Sequence, residues 1–120
     1  MAAPAAVVWD ILVDTARWPA WGPTVSGATV RTGGDGTRIG PGATGTVRTA
    51  LGPHLGFAVT DFDPGRRWAW AVSGVQATGH RVEPRTGDRC LVTFEVPRWA
   101  PPYLLVCAVA LRRIERLATG

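Results

Sequence analysis

The stretch that decides the fold is "APAAVVWDILVDTARWPAW", residues 3–21. Pro4 is suited to the first position of a helix, because the N–H that proline lacks would have no partner there. Apolar residues follow at the spacing of one helix face: Val8, Ile11 and Leu12. This pattern predicts a helix over residues 4–14.

Two tryptophans stand where this stretch turns. Pro19 ends or kinks the chain after the helix, and the pair Gly22-Pro23 stops it. A turn is normally exposed, yet Trp18 and Trp21 carry the largest apolar side chains. We expect them either to pack onto the core or to close a ligand-binding cavity, and plain packing is the stronger interpretation for Trp21.

Downstream of the turn, short β-prone runs alternate with Gly-, Pro- and Asp-rich turns, which is typical of an antiparallel meander. Six strands are predicted near residues 24–32, 43–51, 55–62, 66–73, 75–83 and 89–96. After Pro101 and Pro102, an apolar stretch predicts a C-terminal helix over residues 103–118. One face of this helix is predicted to carry Leu104, Cys107, Leu111, Ile114 and Ala118. The element order indicates an α+β fold in which an antiparallel sheet covers a long helix.

Composition narrows the function classes. The chain has 120 residues, of which 46% are hydrophobic, and this suffices for one domain with a real core. Six tryptophans suit a thick core or the lining of a pocket. All 13 basic residues are arginine, which is typical of a GC-rich, bacterial genome. The net charge of +4 is scattered and does not interleave with aromatic residues, so no nucleic-acid surface is expected.

The two cysteines, the N-terminus and the absence of motifs set further expectations. Cys90 and Cys107 lack metal-ligand spacing, so neither a metal site nor a disulfide is expected. No signal peptide is visible, and the apolar run over residues 100–111 is shorter than the about 20 residues that span a bilayer. A reduced, cytoplasmic protein without stable membrane insertion is expected. No catalytic or cofactor motif occurs, and no cofactor is predicted.

Alternation along the strands predicts which side chains face the helix. Arg81 and Glu83 mark a wet face of the fifth strand, so its inward face is predicted to carry Gln76, Thr78, His80 and Val82. The neighbouring strands are predicted to direct inward Trp68, Trp70, Val72, Cys90, Val92, Phe94 and Val96. The polar inner face of the fifth strand predicts a cavity filled by water or ligand, because unpaired buried polar groups cost about 1–3 kcal/mol each.

The third strand leaves one position open. Leu55, Phe57 and Val59 suggest an inward face that would also carry Asp61, unless a bulge near Phe62 resets the register. An inward Asp61 and His80 would form an acid–base pair able to move a proton on a bound carbonyl compound. The simpler interpretation is that His80 hydrogen-bonds to a neighbouring group and does no chemistry.

Several segments together resemble one superfamily. Within residues 3–21 the matching positions are Pro4, Val8, Trp9, Leu12, Asp14, Trp18, Pro19 and Trp21. The segments "IGPGATGTVRT", "DFDPGRRWAW", "GHRVEP" and "GDRCLVTFEV" follow in the matching order. The chain is similar to the START-like, Bet v 1-like (SRPBCC) superfamily, which includes polyketide cyclase/dehydrase and lipid-transport proteins.

The resemblance implies a helix-grip fold. A curved antiparallel sheet would wrap around the long C-terminal helix, and two short N-terminal helices would close one end of a deep apolar cavity. Residues 1–120 would form a single START-like ligand-binding domain, with Trp18 and Trp21 capping the cavity. One departure is that only residues 1–3 precede Pro4, where the superfamily has a first strand that pairs with the last one. Either the gene model is trimmed, or the bare edge pairs with a second copy.

These observations predict a protein that binds a hydrophobic small molecule such as a lipid, quinone or polyketide. The predicted ligand-binding residues are Trp18, Trp21, Phe57, Trp68, Trp70, Gln76, Thr78, His80, Phe94, Tyr103 and Cys107. One alternative is a cyclase/dehydratase-type enzyme that uses His80 and Asp61. Another is a protein-interaction module. A homodimer through the exposed strand edge or the C-terminal helix is a further expectation.

Overall fold

The computed structural model describes residues 1–97 and 103–120. At the N-terminus, helix α1 is followed by a single 3₁₀ turn and a short helix α2, and these three elements span Ala5–Val13, Thr15–Arg17 and Trp18–Trp21. The strands β1 to β6 span Val25–Thr32, Thr44–Thr49, His54–Asp63, Arg67–Val72, Val75–Arg85 and Arg89–Glu95. Helix α3 spans Tyr103–Thr119. Pro101 and Pro102, which precede the predicted helix in the sequence, lie outside the described residues.

The six strands form one curved antiparallel sheet in the order β1-β2-β3-β4-β5-β6. Each strand pairs with its neighbour in the chain, so the predicted α+β arrangement with two short N-terminal helices and a long C-terminal helix is confirmed. Short turns explain the order from β2 to β6, because a chain that reverses after a few residues pairs with the strand it has just left.

At the outer edge of β6, the described residues show backbone pairing at one position. Met1 and Cys90 exchange backbone hydrogen bonds, with Met1 N donating to Cys90 O at 2.6 Å and Cys90 N donating to Met1 O at 3.1 Å. Ala3 is buried beside this contact. Among the described residues, the edge predicted to be bare is thus covered at Cys90.

A β-bulge in β3 decides the position of Asp61. Val59 pairs with Trp70, but Asp61 pairs with Ala69, so Thr60 is an extra residue in the ladder. The extra residue moves Asp61 to the outer face and returns Phe62 to the inner face. The prediction of an inward Asp61 is therefore wrong, and the stated alternative of a bulge near Phe62 is confirmed.

A second irregularity corrects Gln76. Ala69 pairs with Gly79 while Ala71 pairs with Gln76, so β5 contains one more residue than β4 over this span. The alternation that places His80 inward therefore does not extend back to Gln76. Gln76 is exposed on the outer face, and its predicted inward position is wrong.

Helix α3 packs against α1 and α2 through a narrow stripe. Its buried residues are Cys107, Ala110 and Ile114, which follow one another at intervals of three and four residues. Leu104 was predicted to face inward but is 58% exposed, because the buried residues of α3 lie on a different face of the helix. No helix in the described part of the chain is long and apolar enough to cross a membrane.

Candidate ligand-binding site

A cavity of about 30 Å³ lies where α2, the inner face of the sheet and α3 meet. Its lining residues are Trp18, Trp21, Gly22, Pro23, Thr24, Val25, Trp68, Trp70, Thr78, His80, Phe94, Tyr103, Val106, Cys107 and Ala110. Among the described residues, those that border the cavity include no Asp, Glu, Lys or Arg. The site is therefore an apolar and aromatic pocket with a few hydroxyl, indole and imidazole groups.

Most of the predicted ligand-binding residues border this cavity, and two do not. Phe57 is buried behind the wall, with its ring centroid 5.6 Å from that of Trp70. Gln76 lies on the outer face, where its Nε2 donates to Trp70 O at 3.0 Å. The lining residues that the sequence did not indicate are Gly22, Pro23, Thr24, Val25, Val106 and Ala110. Val106 and Ala110 are three and seven residues after Tyr103, so helical spacing could have predicted that they line the cavity. The segment 22–25 has the sequence of an ordinary turn and gives no such signal.

The cavity is small because the protein's own aromatic rings fill the space behind it. The Trp18 and Trp68 rings stack at 5.5 Å with an interplanar angle of 6°, and His80 stacks on Trp68 at 4.0 Å. Trp70 closes the cluster edge-on to both Trp18 and Trp68. A volume of this size holds about one or two water molecules, whereas pockets for drug-sized ligands have volumes of about 300–1,000 Å³. The cavity is therefore much smaller than the deep cavity implied by the resemblance.

Trp18 and Trp21 hold α2 against the end of α1. Trp18 Nε1 donates to Leu12 O at 2.8 Å, and Trp21 Nε1 donates to Ile11 O at 3.2 Å. These carbonyls belong to the last turn of α1, where backbone acceptors lack helical partners. Trp18 is 1% exposed and Trp21 is 7% exposed, so both side chains are packed, and both also form the cavity wall.

A chain of hydrogen bonds crosses the polar part of the wall. Trp70 Nε1 donates to Thr78 Oγ1 at 3.1 Å, and Thr78 Oγ1 lies 3.0 Å from His80 Nε2. His80 Nδ1 lies 3.3 Å from Trp68 O. These partners assign the His80 proton to Nδ1, which donates to Trp68 O, while Nε2 accepts from the Thr78 hydroxyl. Both ring nitrogens of His80 are thus engaged within the protein.

Burial keeps this imidazole uncharged. Loss of solvent around His80 lowers its pKa to about 3, and the nearby positive charge of Arg67 acts in the same direction. The hydrogen bond to Trp68 O opposes the shift but does not overcome it. His80 therefore serves as a neutral hydrogen-bonding group in the wall of the site.

The predicted acid–base pair does not come together. Asp61 lies on the outer face and forms an ion pair with Arg67, which also contacts Glu95 at 2.7 Å. The sheet itself separates Asp61 from His80. Within residues 1–97 and 103–120, no three His, Cys, Asp or Glu side chains lie close enough together to hold a metal ion.

One side-chain contact ties α3 to the loop after α2 at the cavity. Tyr103 Oη and Thr24 Oγ1 lie 3.1 Å apart and form a hydrogen bond. Leu105, in the same turn of α3 as Tyr103, is 76% exposed. The start of α3 therefore contacts the cavity through a narrow strip of its surface.

Comparisons with known proteins agree with this architecture. The model of a family described as polyketide cyclase / dehydrase and lipid transport matches residues 1–117. Protein NE0264 from Nitrosomonas europaea is 15% identical with a TM-score of 0.68, and the match covers 98% of this chain and 88% of that one. XoxI from Bacillus cereus is 13% identical with a TM-score of 0.69, covering 98% and 89% of the two chains.

A third solved structure, the AHSA1-like protein from Aeromonas hydrophila, is 12% identical with a TM-score of 0.62. The match covers 97% of this chain and 85% of that one. At these identities the likeness shows the fold. No curated protein matches the sequence.

Proposed function

Because the chain belongs to the polyketide cyclase / dehydrase and lipid transport family, we propose that residues 1–120 act as one START-like domain that binds a hydrophobic small molecule between the sheet and α3. The observation that carries this proposal is the position and lining of the cavity, which lies at that junction and is walled by apolar and aromatic side chains. A lipid, quinone or polyketide-like molecule has the matching chemistry.

A guest of that kind needs the start of α3 to move. The first turns of α3 are held by two small buried side chains, Cys107 and Ala110, and by the hydrogen bond between Tyr103 and Thr24. Farther along, Ile114 is fully buried and anchors the second half of the helix. Segments that bury little apolar surface open at low free-energy cost. We therefore assign the opening to the first half of α3.

Burial of a guest offsets the loss of the Tyr103–Thr24 hydrogen bond in such an opening. A guest the size of a tryptophan side chain buries about 150–250 Å². At about 25 cal/mol per Å² this burial gains about 4–6 kcal/mol. The gain exceeds the cost of breaking one partly exposed hydrogen bond, which is about 0.5–1.5 kcal/mol.

A matched pair of substitutions on α3 tests the proposal. Ala110 borders the cavity, whereas Ala108 is exposed on the same helix. We expect Ala110→Leu to fill the space and weaken binding of α-tetralone, an uncharged bicyclic ketone, by about tenfold or more, which is about 1.4 kcal/mol. Ala108→Leu should leave the Kd unchanged. Titration calorimetry gives both values, and thermal melting checks that each variant is folded.

Equal loss of affinity in the two variants, or no loss in either, would contradict a site between the sheet and α3. Mass spectrometry of molecules that co-purify with the wild-type chain would then identify the natural guest.

The cyclase/dehydratase alternative receives no support from the described side chains. Asp61 lies on the far face of the sheet, and both nitrogens of His80 have partners within the protein. The protein-interaction alternative rests on exposed surface alone. We therefore propose ligand binding as the function.

A homodimer and a cytoplasmic location remain predictions. Leu104, Leu105 and Val109 form an exposed apolar face on α3, which a second copy could cover. Light scattering should then give twice the 12.7 kDa mass of the chain, and Leu105→Glu should restore the monomer. A monomeric wild-type mass at high concentration would contradict the dimer. The cytoplasmic assignment rests on the two free, buried cysteines.

A further inference from the structure

The tryptophans of the cavity wall differ in how their indole N–H groups are used. Trp18 and Trp21 donate to backbone carbonyls of α1, and Trp70 donates to Thr78. Trp68 is fully buried, and its Nε1 finds no hydrogen-bond acceptor in the described part of the chain. One donor in the wall of the site is therefore unpaired.

The surroundings of Trp68 show why the protein itself does not satisfy this donor. Its ring is held between the Trp18 ring at 5.5 Å and the His80 ring at 4.0 Å. His80 offers no free acceptor, because its Nε2 is engaged by the Thr78 hydroxyl and its Nδ1 by Trp68 O. Buried polar groups in native proteins almost always have partners, so an unpaired donor on a residue that lines the cavity points to an acceptor supplied from outside the chain.

The charge of the wall limits what that acceptor can be. The described lining holds no cationic side chain, and His80 is buried and neutral. A carboxylate placed there would lose its hydration without gaining a counter-charge. A carbonyl oxygen loses far less on leaving water and accepts a hydrogen bond equally well.

We propose that Trp68 Nε1 is a specificity-determining donor of the site, selecting uncharged guests that carry a carbonyl oxygen, such as ketones and quinones. This inference rests on the proposed function. It adds a chemical preference within the class of hydrophobic guests and assigns that preference to one atom. Hydrocarbons of the same shape would leave the donor unpaired, and carboxylates would be buried without a partner charge.

A pair of matched probes tests the assignment. α-Tetralone and tetralin have the same bicyclic frame and differ at one carbonyl group. The ratio of their Kd values is measured in the wild type, in Trp68→Phe and in Trp21→Phe. We expect Trp68→Phe to shift the ratio about three- to tenfold against the ketone, the effect of one net hydrogen bond. Trp21→Phe should leave the ratio unchanged, because Trp21 Nε1 already donates to Ile11 O.

A wild-type measurement keeps the test valid if Trp68→Phe is poorly folded. In a nitrogen-labelled sample, the indole signal of Trp68 should move downfield on saturation with α-tetralone and should not do so with tetralin. α-Naphthoate should bind about tenfold or more weakly than α-tetralone at neutral pH.

The outcomes separate the two claims. If both probes bind, but the ratio is the same in Trp68→Phe and the Trp68 signal does not respond, the assignment of the donor is overturned and ligand binding stands. Tight binding of α-naphthoate likewise overturns the preference for uncharged guests. If neither tetralone nor tetralin binds, the proposed function fails and this inference fails with it.

Discussion

Replacing Trp18 with alanine is expected to lower the free energy of unfolding by about 3–5 kcal/mol. The side chain is 1% exposed and lies at the centre of the aromatic cluster, stacked on Trp68 and edge-on to Trp70. Its removal leaves a void beside the rings of Trp68 and Trp70. These rings cannot move into the void without losing their contacts with each other and with His80. It also leaves Leu12 O without the indole donor that it accepts from at 2.8 Å.

Urea denaturation followed by far-ultraviolet circular dichroism measures this loss. Leu51→Ala is the control, because Leu51 is 95% exposed and its truncation should change stability by about 0.5 kcal/mol or less. Trp18→Phe should fall between the two, since it keeps part of the packing and loses the hydrogen bond. A loss of about 1 kcal/mol or less in Trp18→Ala would show that the cluster is not a packed core.

Acidification is expected to destabilise the protein through His80. The folded state lowers the pKa of His80 from 6.5 to about 3, so the unfolded chain binds more protons over the interval between these values. The contribution is complete above the unfolded pKa of 6.5, and it is lost as the pH falls from there toward 3. The slope is about 1.4 kcal/mol per pH unit, so the total loss is of the order of 4 kcal/mol.

His80→Gln isolates this effect. The variant should be less stable than the wild type at neutral pH, since the partners on Thr78 and Trp68 are disturbed. The difference between the two proteins should shrink as the pH falls from 6.5 toward 3, because only the wild type carries the titrating imidazole. His54→Gln should keep the wild-type profile, since His54 is exposed. A constant difference across this interval would show that His80 is not held neutral by burial.

The element order could be predicted because it depends on local signals. Pro4 and the apolar spacing after it mark α1, and the Gly-rich turns mark the strand ends. Simple alternation also placed Trp68, Trp70 and His80 on the inner face, where the structure has them. These predictions succeed because period-two and helical periodicities carry the information directly.

The errors arise where one residue changes the register. Phe62 raises the alternative of a bulge, but the sequence does not decide between a bulge and regular alternation. Thr60 is an ordinary β-prone residue, yet as the extra residue it decides that Asp61 faces outward. The same kind of event in β5 moves Gln76 to the outer face. The position of Leu104 was wrong for a different reason: two apolar stripes fit the start of α3, and only packing against α1 and α2 selects one.

The size of the cavity could not be read from the sequence either. It depends on the ring orientations of Trp18, Trp68 and His80. These large side chains were expected to surround a cavity, but their rings stack and fill that space. Aromatic residues can line a cavity or fill it, and composition does not distinguish these outcomes. The proposal of an opening in α3 follows from this observation.

An isotope-filtered nuclear Overhauser experiment with unlabelled α-tetralone and labelled protein tests the location of the guest most directly. Val106 and Ala110 place methyl groups on the α3 side of the cavity, whereas Val75 and Leu91 are exposed residues of the sheet outside it. Binding between the sheet and α3 predicts contacts from the guest to the Val106 and Ala110 methyls. Contacts to Val75 or Leu91 alone, or no contacts at saturating guest, would contradict it.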